Sequence, residues 1–134
     1  MANALYPKWK EQLLQFTANN NLSSGTVKVA LVDTGTYTYS ASDQFYSAVS
    51  SAVVGTPQTI GSKTFTNGVL DGSDVTFSSV TGASVEALVI YIDTGTAATS
   101  PLVAYIDSSV TGLPVTPNGG DITISWSASG IFAL

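Results

Sequence analysis

The chain contains no cysteine, no histidine and no arginine, and its cations are the four lysines Lys8, Lys10, Lys28 and Lys63. Without cysteine and histidine, Ser-His-Asp and Cys-His nucleophiles, thiolate zinc sites and disulfide bonds are excluded. A net charge of −5 without arginine argues against nucleic acid as a partner, because phosphate binding needs a clustered basic surface. We therefore expect no nucleic-acid partner, no cofactor and no metal.

Charged residues are also scarce, at 10% of the 134 residues, whereas a typical domain carries roughly 25%. The hydrophobic share of 44% is too high for a chain that stays disordered, and the length suits one hydrophobic core. Residues 1–16 lack the continuous apolar stretch of a signal peptide, and no stretch approaches the roughly 20 apolar residues of a membrane span. We expect no membrane segment.

The first 20 residues predict an amphipathic helix or arm. Pro7 suits the first helical turn, and Trp9, Leu13 and Phe16 recur at spacings of four and three, with Leu14 widening the apolar stripe. The polar residues that follow, up to a glycine at position 25, favour the end of the helix. The helix is expected either to cover its own sheet or to dock on a neighbouring subunit.

Residues 26–134 are predicted to form a β domain, because the apolar period changes from that of a helix to that of strands. Residues 42–49 interrupt the strands with a weak helical turn, and residues 50–63 predict a long loop or an irregular edge strand. In the last long strand, Ile122, Ile124 and Trp126 share one face, and all three are expected in the core. The predicted strands cover residues 26–32, 65–69, 75–80, 86–92, 102–106, 122–126 and 131–134.

Six to eight short strands separated by turns predict a mainly β fold. We expect a single-domain antiparallel β-sandwich or barrel-like fold with one N-terminal amphipathic helix.

The tetrapeptide Asp-Thr-Gly-Thr occurs twice, and each copy follows an apolar strand, so that Asp33 and Asp93 hold equivalent positions. In aspartic proteases such a pair of carboxylates shares one proton and activates water. The alternative is a strand-ending turn in which the carboxylate accepts hydrogen bonds from the following backbone. The turn is favoured, because the two copies lie 60 residues apart in one small chain and Asp107 ends a third strand of the same kind.

Two weaker patterns also have an ordinary structural interpretation. The acidic residues at 71–74, and Asp121 near Asn118, offer oxygen ligands for calcium but lack the alternating spacing of a calcium loop, so turns are favoured. Tyr37 and Tyr39 lie on one side of a possible strand and suggest either a sugar-binding platform or ordinary packing. Packing is favoured for both tyrosines.

Three stretches carry a resemblance across nearly the whole chain: Met1-Ala2-Asn3-Ala4-Leu5-Tyr6, the sequence VKVALVD at 27–33, and TGLPVTPNGGDI at 111–122. In these the chain resembles a family of small virion structural proteins of tailed bacteriophages. The resemblance implies a non-enzymatic head decoration (cement) protein, made in the bacterial host cytoplasm and placed on the capsid surface of the virion. A tail, baseplate or fibre-associated protein is the alternative, and an aspartic-type protease is a remote one.

The same resemblance implies the partners. A decoration protein binds the major capsid protein and its own copies, here expected as a homotrimer, and it stabilises the shell by bridging capsomers. We expect its contacts in the N-terminal arm and in the segment 50–63. The predicted interface residues are Leu5, Tyr6, Trp9, Val53, Val54, Pro57, Ile60 and Lys63.

Overall fold

The computed structural model describes residues 3–108 and 110–134, and in this part of the chain it shows nine β-strands and one α-helix. The mainly β prediction with one N-terminal helix is confirmed. The elements are β1 (Ala4–Leu5), α1 (Pro7–Gln15), β2 (Thr26–Val32), β3 (Val53–Thr59), β4 (Val69–Leu70), β5 (Val75–Phe77), β6 (Ala87–Asp93), β7 (Leu102–Ile106), β8 (Ile122–Ile124) and β9 (Phe132–Ala133).

The main sheet has five antiparallel strands in the order β1-β7-β6-β2-β3. Strands β6 and β7 are buried almost throughout, which explains why both read as continuous apolar runs rather than as an alternating pattern. Strand β3 forms one edge, and its pairing with β2 is interrupted by a register shift between Val29 and Leu31. Proline at position 57 is compatible with this edge because it cannot donate to a sheet ladder.

Two short ribbons complete the β structure, one from β4 and β9 and the other from β5 and β8. The β5–β8 ribbon alternates as predicted: Phe77, Ile122 and Ile124 are buried. Trp126 lies beyond β8 and is only half-buried, since its indole N–H donates to the carbonyl of Ser73 at 3.0 Å. The prediction that Trp126 belongs to the core is therefore wrong.

Two other segments differ from the sequence prediction. Residues 65–69 contain a 3-10 turn at Thr66–Gly68, where Asn67 has a positive φ of 55° that no strand accommodates, so only the end of the segment joins β4. The helical turn predicted at 42–49 is a short 3-10 turn, Tyr46–Ala48. The segment 50–63 holds a further 3-10 turn at its start and then β3, which confirms the irregular edge strand.

Helix α1 begins at Pro7 and ends at Gln15, and Phe16 follows it in the left-handed conformation with a φ of 56°. Trp9 is buried in the same hydrophobic core as the strands, and Leu13 packs against that core. Phe16 does not continue the buried stripe, because the chain leaves the helical path at this residue. The helix therefore covers its own sheet, and no helix in residues 3–108 and 110–134 is long and apolar enough to cross a membrane.

Candidate functional site

The main concave feature of the surface is a groove of about 650 Å³ beside α1. One wall is the helix face that carries Trp9 and Leu13, and the other is the loop 17–23 that follows the helix. Phe65 and Leu134, distant in sequence, close the groove at its end. We call this feature the α1 groove, and its volume lies in the range of small-ligand and peptide sites.

Exposed apolar side chains are concentrated at the α1 groove. Among the described residues, the exposed large hydrophobic side chains are Phe16 (97%), Leu14 (90%), Leu134 (71%) and Phe65 (40%). Three of them line the groove, and Leu14 belongs to the same helix. Isolated exposed apolar residues are normal on protein surfaces, whereas a contiguous patch marks an interaction site.

The loop wall of the α1 groove is held by side-chain amides. The buried Asn20 places its Nδ2 2.7 Å from the Thr17 hydroxyl, 2.8 Å from the Ala18 carbonyl and 3.1 Å from Gln12 Oε1. These bonds connect the loop to the last turn of the helix. The wall is therefore formed before any ligand binds.

The end of the same loop needs glycine. A Cβ atom on Gly25 would lie 2.6 Å from the backbone oxygen of Asn21 and 2.9 Å from Ile92 Cγ2. Asn21 Oδ1 also accepts the backbone N–H groups of Ser23 and Ser24, at 2.8 and 3.2 Å. The predicted turn at residue 25 is thus confirmed, with a close backbone approach as its physical reason.

Lys63 ties the loop wall to the strand region. Its Nζ donates to the carbonyl oxygens of Leu22 and Gly25, at 2.7 and 2.8 Å. An ammonium bonded to two carbonyls restrains both residues, because charge-assisted hydrogen bonds are stronger than neutral ones. Lys63, predicted as a partner contact, supports the groove from within the subunit.

Two polar atoms of groove-lining residues are buried without a hydrogen-bond partner in the described part of the chain, namely Trp9 Nε1 and Asn20 Oδ1. A buried polar atom without a partner costs about 1–3 kcal/mol. The floor of the α1 groove is therefore the least well satisfied polar region among the described residues outside Asp107.

Four of the eight predicted interface residues are buried inside the subunit, which corrects the expectation that their side chains face a partner. Their apolar side chains lie in the core because the arm and the edge strand pack on the chain's own sheet. These four are Tyr6, Trp9, Val54 and Ile60. Leu5, Val53 and Pro57 are half-buried, and their contact with a partner stays a prediction, as does that of Lys63.

Phe16, Leu14, Phe65 and Leu134 were not predicted as interface residues. Phe16 and Leu14 were assigned to the helix stripe, whose period runs one residue past the true end of the helix. Phe65 and Leu134 carried no signal, because only the fold brings them to the helix. The first two residues of the predicted arm lie outside the described part of the chain.

Asp33 and Asp93 lie at opposite ends of β2, which contradicts the carboxylate pair of an aspartic protease. Asp93 pairs with Thr26 at the start of the strand, and Asp33 directly follows Val32 at its end. Seven residues of extended chain span roughly 23 Å. Two carboxylates at that separation cannot share a proton.

Both aspartates instead form the predicted turns. Asp33 Oδ1 accepts the N–H of Gly35 at 2.9 Å, and its Oδ2 accepts the Thr36 hydroxyl at 2.9 Å. Asp93 Oδ1 accepts the N–H of Gly95 at 2.9 Å. Asp93 also pairs with Lys28, whose Nζ lies 2.9 Å from Oδ2, and this hydrogen bond is the main reason that the pKa of Asp93 is lowered.

The tyrosines proposed as a sugar platform pack inside an aromatic cluster. Tyr37 is buried, and its hydroxyl lies 2.9 Å from that of Tyr6 and donates to Asp43 Oδ2 at 2.7 Å. Tyr39 packs between Tyr6 and Tyr105, with ring centroids 5.2 and 5.3 Å away. Burial raises the pKa of Tyr37 and, to about 12, that of Tyr105. The Tyr37 ring is therefore not available to a sugar.

The acidic residues considered for calcium are engaged in local backbone contacts. Asp71 Oδ1 accepts the N–H of Gly72, Asp74 Oδ1 that of Trp126, and Asp121 Oδ1 that of Ser79. Within residues 3–108 and 110–134, no group of three or more acidic residues is placed to hold a metal ion.

Comparison with known proteins adds no family to this description. No family model matches the chain, and no curated protein matches it. Inference about function therefore depends on the residues of the chain itself, and the α1 groove is the surface feature that calls for a partner.

Proposed function

We propose that the chain is a non-enzymatic structural protein of a tailed-phage virion, and that it is a head decoration protein that binds the outer capsid surface. The sequence resemblance suggests the role. The observation that carries the proposal is the α1 groove, an exposed apolar surface on a chain with few charges. Such a surface is best explained by contact with other protein.

The surface chemistry suits permanent burial on a particle. With 10% charged residues, little charge has to be desolvated when the protein is covered by its partner. The hydroxyl-bearing side chains that replace charge are satisfied locally, as in the pair of Thr76 and Thr123 hydroxyls at 3.1 Å across β5 and β8. A shell presents many equivalent sites, so the total stabilisation is large even if each contact is modest.

Decoration requires contact with the shell and, through the role, with other copies. An interface of about 1,000 Å² or more would be needed for a specific contact. We propose the major capsid protein as the principal partner and capsomer bridging as the means of stabilisation. The homotrimer expected from the role is part of this proposal.

The copy number of the protein in purified particles tests the proposal. Quantitative mass spectrometry measures the ratio of this chain to the major shell protein. A ratio near one to one is expected for a decoration protein. A few copies per hundred shell subunits would instead place it in the tail, and its absence from the particle would overturn the virion role.

Heat release of the packaged DNA gives a second test. Heads stripped of the protein should release DNA at a lower temperature than heads to which it has been added back. The same release temperature for both would show that it does not stabilise the shell.

A further inference from the structure

Charge is distributed unevenly between the α1 groove and the rest of the molecule. None of the side chains that line the groove is charged. The first 25 residues carry Lys8 and Lys10 against Glu11, whereas residues 26–134 carry two lysines against eight carboxylates, a net charge of −6. The groove therefore lies in the only part of the chain where cations outnumber anions.

The two helix lysines flank the groove. Each residue of an α-helix is rotated by about 100° from the one before it, so Lys8 and Lys10 project to either side of the face that carries Trp9. Lys8 lies 3.1 Å from Glu11, and both partners are well exposed, so this pair is easily exchanged for another carboxylate. An apolar groove between two lysines is complementary to an apolar segment that carries carboxylates.

A second copy of the chain is a poorer occupant. The exposed large hydrophobic side chains of the described residues lie at the groove or on its helix, so a second copy would have to use this same face. That arrangement would bring Lys8 and Lys10 of one copy towards the same lysines of the other. Like charges at an interface select against a partner.

We propose that the α1 groove binds an apolar peptide segment of a partner protein, and that this segment carries Asp or Glu beside its apolar side chains. Phe16, Phe65 and Leu134 contact the apolar side chains, and Lys8 and Lys10 face the carboxylates. The inference rests on the proposed function for the identity of the partner, which is the major capsid protein. Its location in the groove is argued from this chain alone.

Photocrosslinking identifies the occupant. Phe16 is replaced by p-benzoylphenylalanine, which keeps an aromatic ring at an exposed position, and the full chain is bound to heads that lack it. Ala83, exposed and next to the opposite end of the main sheet, carries the same group in the control. We expect the crosslink from position 16 to map to an apolar shell-protein segment that contains Asp or Glu.

Other crosslinking results would overturn the inference. These are a crosslink to a second copy of the chain, a crosslink to a lysine-rich segment, or no crosslink from position 16 when the protein is bound. Equal yields of the same product from positions 16 and 83 would also contradict a groove-specific contact.

Affinity for heads provides a matched pair of variants. Phe16→Ser removes an exposed groove side chain, and Leu14→Ser removes an equally exposed apolar side chain of the same helix that does not line the groove. We expect Phe16→Ser to weaken binding at least tenfold and Leu14→Ser to change it less than twofold. Equal binding of both variants and the wild type would overturn the groove as the docking site.

The charge part of the inference has its own variant. Exchange of Lys8 and Lys10 for glutamate should weaken binding and reduce its dependence on salt, because the attraction to carboxylates is lost. Unchanged affinity would contradict an acidic occupant. Failure of the wild-type protein to bind heads at all would instead overturn the proposed function and, with it, the shell protein as the partner.

Discussion

The ammonium of Lys63 donates a hydrogen bond of 2.7 Å to the carbonyl oxygen of Leu22, across 41 residues of sequence. A second bond to Gly25 makes this lysine the support of the loop wall of the α1 groove. A residue that attracted attention as a surface cation thus has a structural role inside the subunit, and this role leads to a stability prediction.

Lys63→Met should lower the free energy of unfolding by about 1–2 kcal/mol, since it removes two charge-assisted hydrogen bonds but keeps the aliphatic stem. Urea denaturation followed by tryptophan fluorescence measures this change. Lys10→Met, at an exposed helix position, is the control and should change stability by less than about 0.5 kcal/mol. Equal stability of both variants would show that the Lys63 bonds contribute nothing.

Replacement of the two turn aspartates by asparagine should have small and unequal effects. Asparagine keeps an oxygen that accepts the backbone N–H, so Asp33→Asn should cost less than about 0.5 kcal/mol. Asp93→Asn also loses the ion pair with Lys28 and should cost more, up to about 1 kcal/mol for a partly exposed pair. Thermal denaturation near neutral pH compares the two, and a larger effect of Asp33→Asn would contradict this assignment.

The ion pair between Lys28 and Asp93 predicts a pH dependence of stability. The pKa of Asp93 is lowered in the folded protein, mainly by the hydrogen bond from Lys28, while the unfolded value is about 3.9. A lowered pKa stabilises the fold above the unfolded value, and this stabilisation is lost as the pH falls through the folded pKa.

Acid titration of stability checks the sign. Thermal denaturation from pH 6 to pH 2.5 should show a smaller loss of stability in Lys28→Met than in the wild type. An identical pH dependence of the two proteins would contradict the assignment. Direct measurement of the Asp93 carboxyl pKa by NMR should give a value below the unfolded one, and it should rise in Lys28→Met.

The hydroxyl of Tyr37 should matter more than that of Tyr39. Tyr37→Phe breaks the bonds to Tyr6 and Asp43 and leaves the buried Tyr6 hydroxyl without its partner, so we expect a loss of about 1–3 kcal/mol. Tyr39→Phe removes a hydroxyl that makes no hydrogen bond within the described residues and should be nearly neutral. Equilibrium unfolding in urea compares the variants, and equal losses would contradict the hydrogen-bonded assignment of Tyr37.

Several elements were predictable because their signals are local. The strand predicted at 26–32 is β2 and the one at 102–106 is β7, since each is an apolar run that ends in polar residues. The turns at Asp33 and Asp93 were also predictable, because an aspartate contacts its own backbone two residues on. The end of α1 was placed too late, since the stripe includes Phe16 by period alone.

The sequence by itself determined the fold class, the position of the main strands, the turns at their ends and the absence of thiol and imidazole chemistry. The tertiary structure alone decided the strand order, the separation of Asp33 from Asp93, and the burial of Tyr6, Trp9 and Ile60 within the subunit. It also decided the α1 groove. Hydrophobic period and turn chemistry act between neighbouring residues, whereas a groove depends on side chains far apart in the chain, and only packing decides which apolar residues remain exposed.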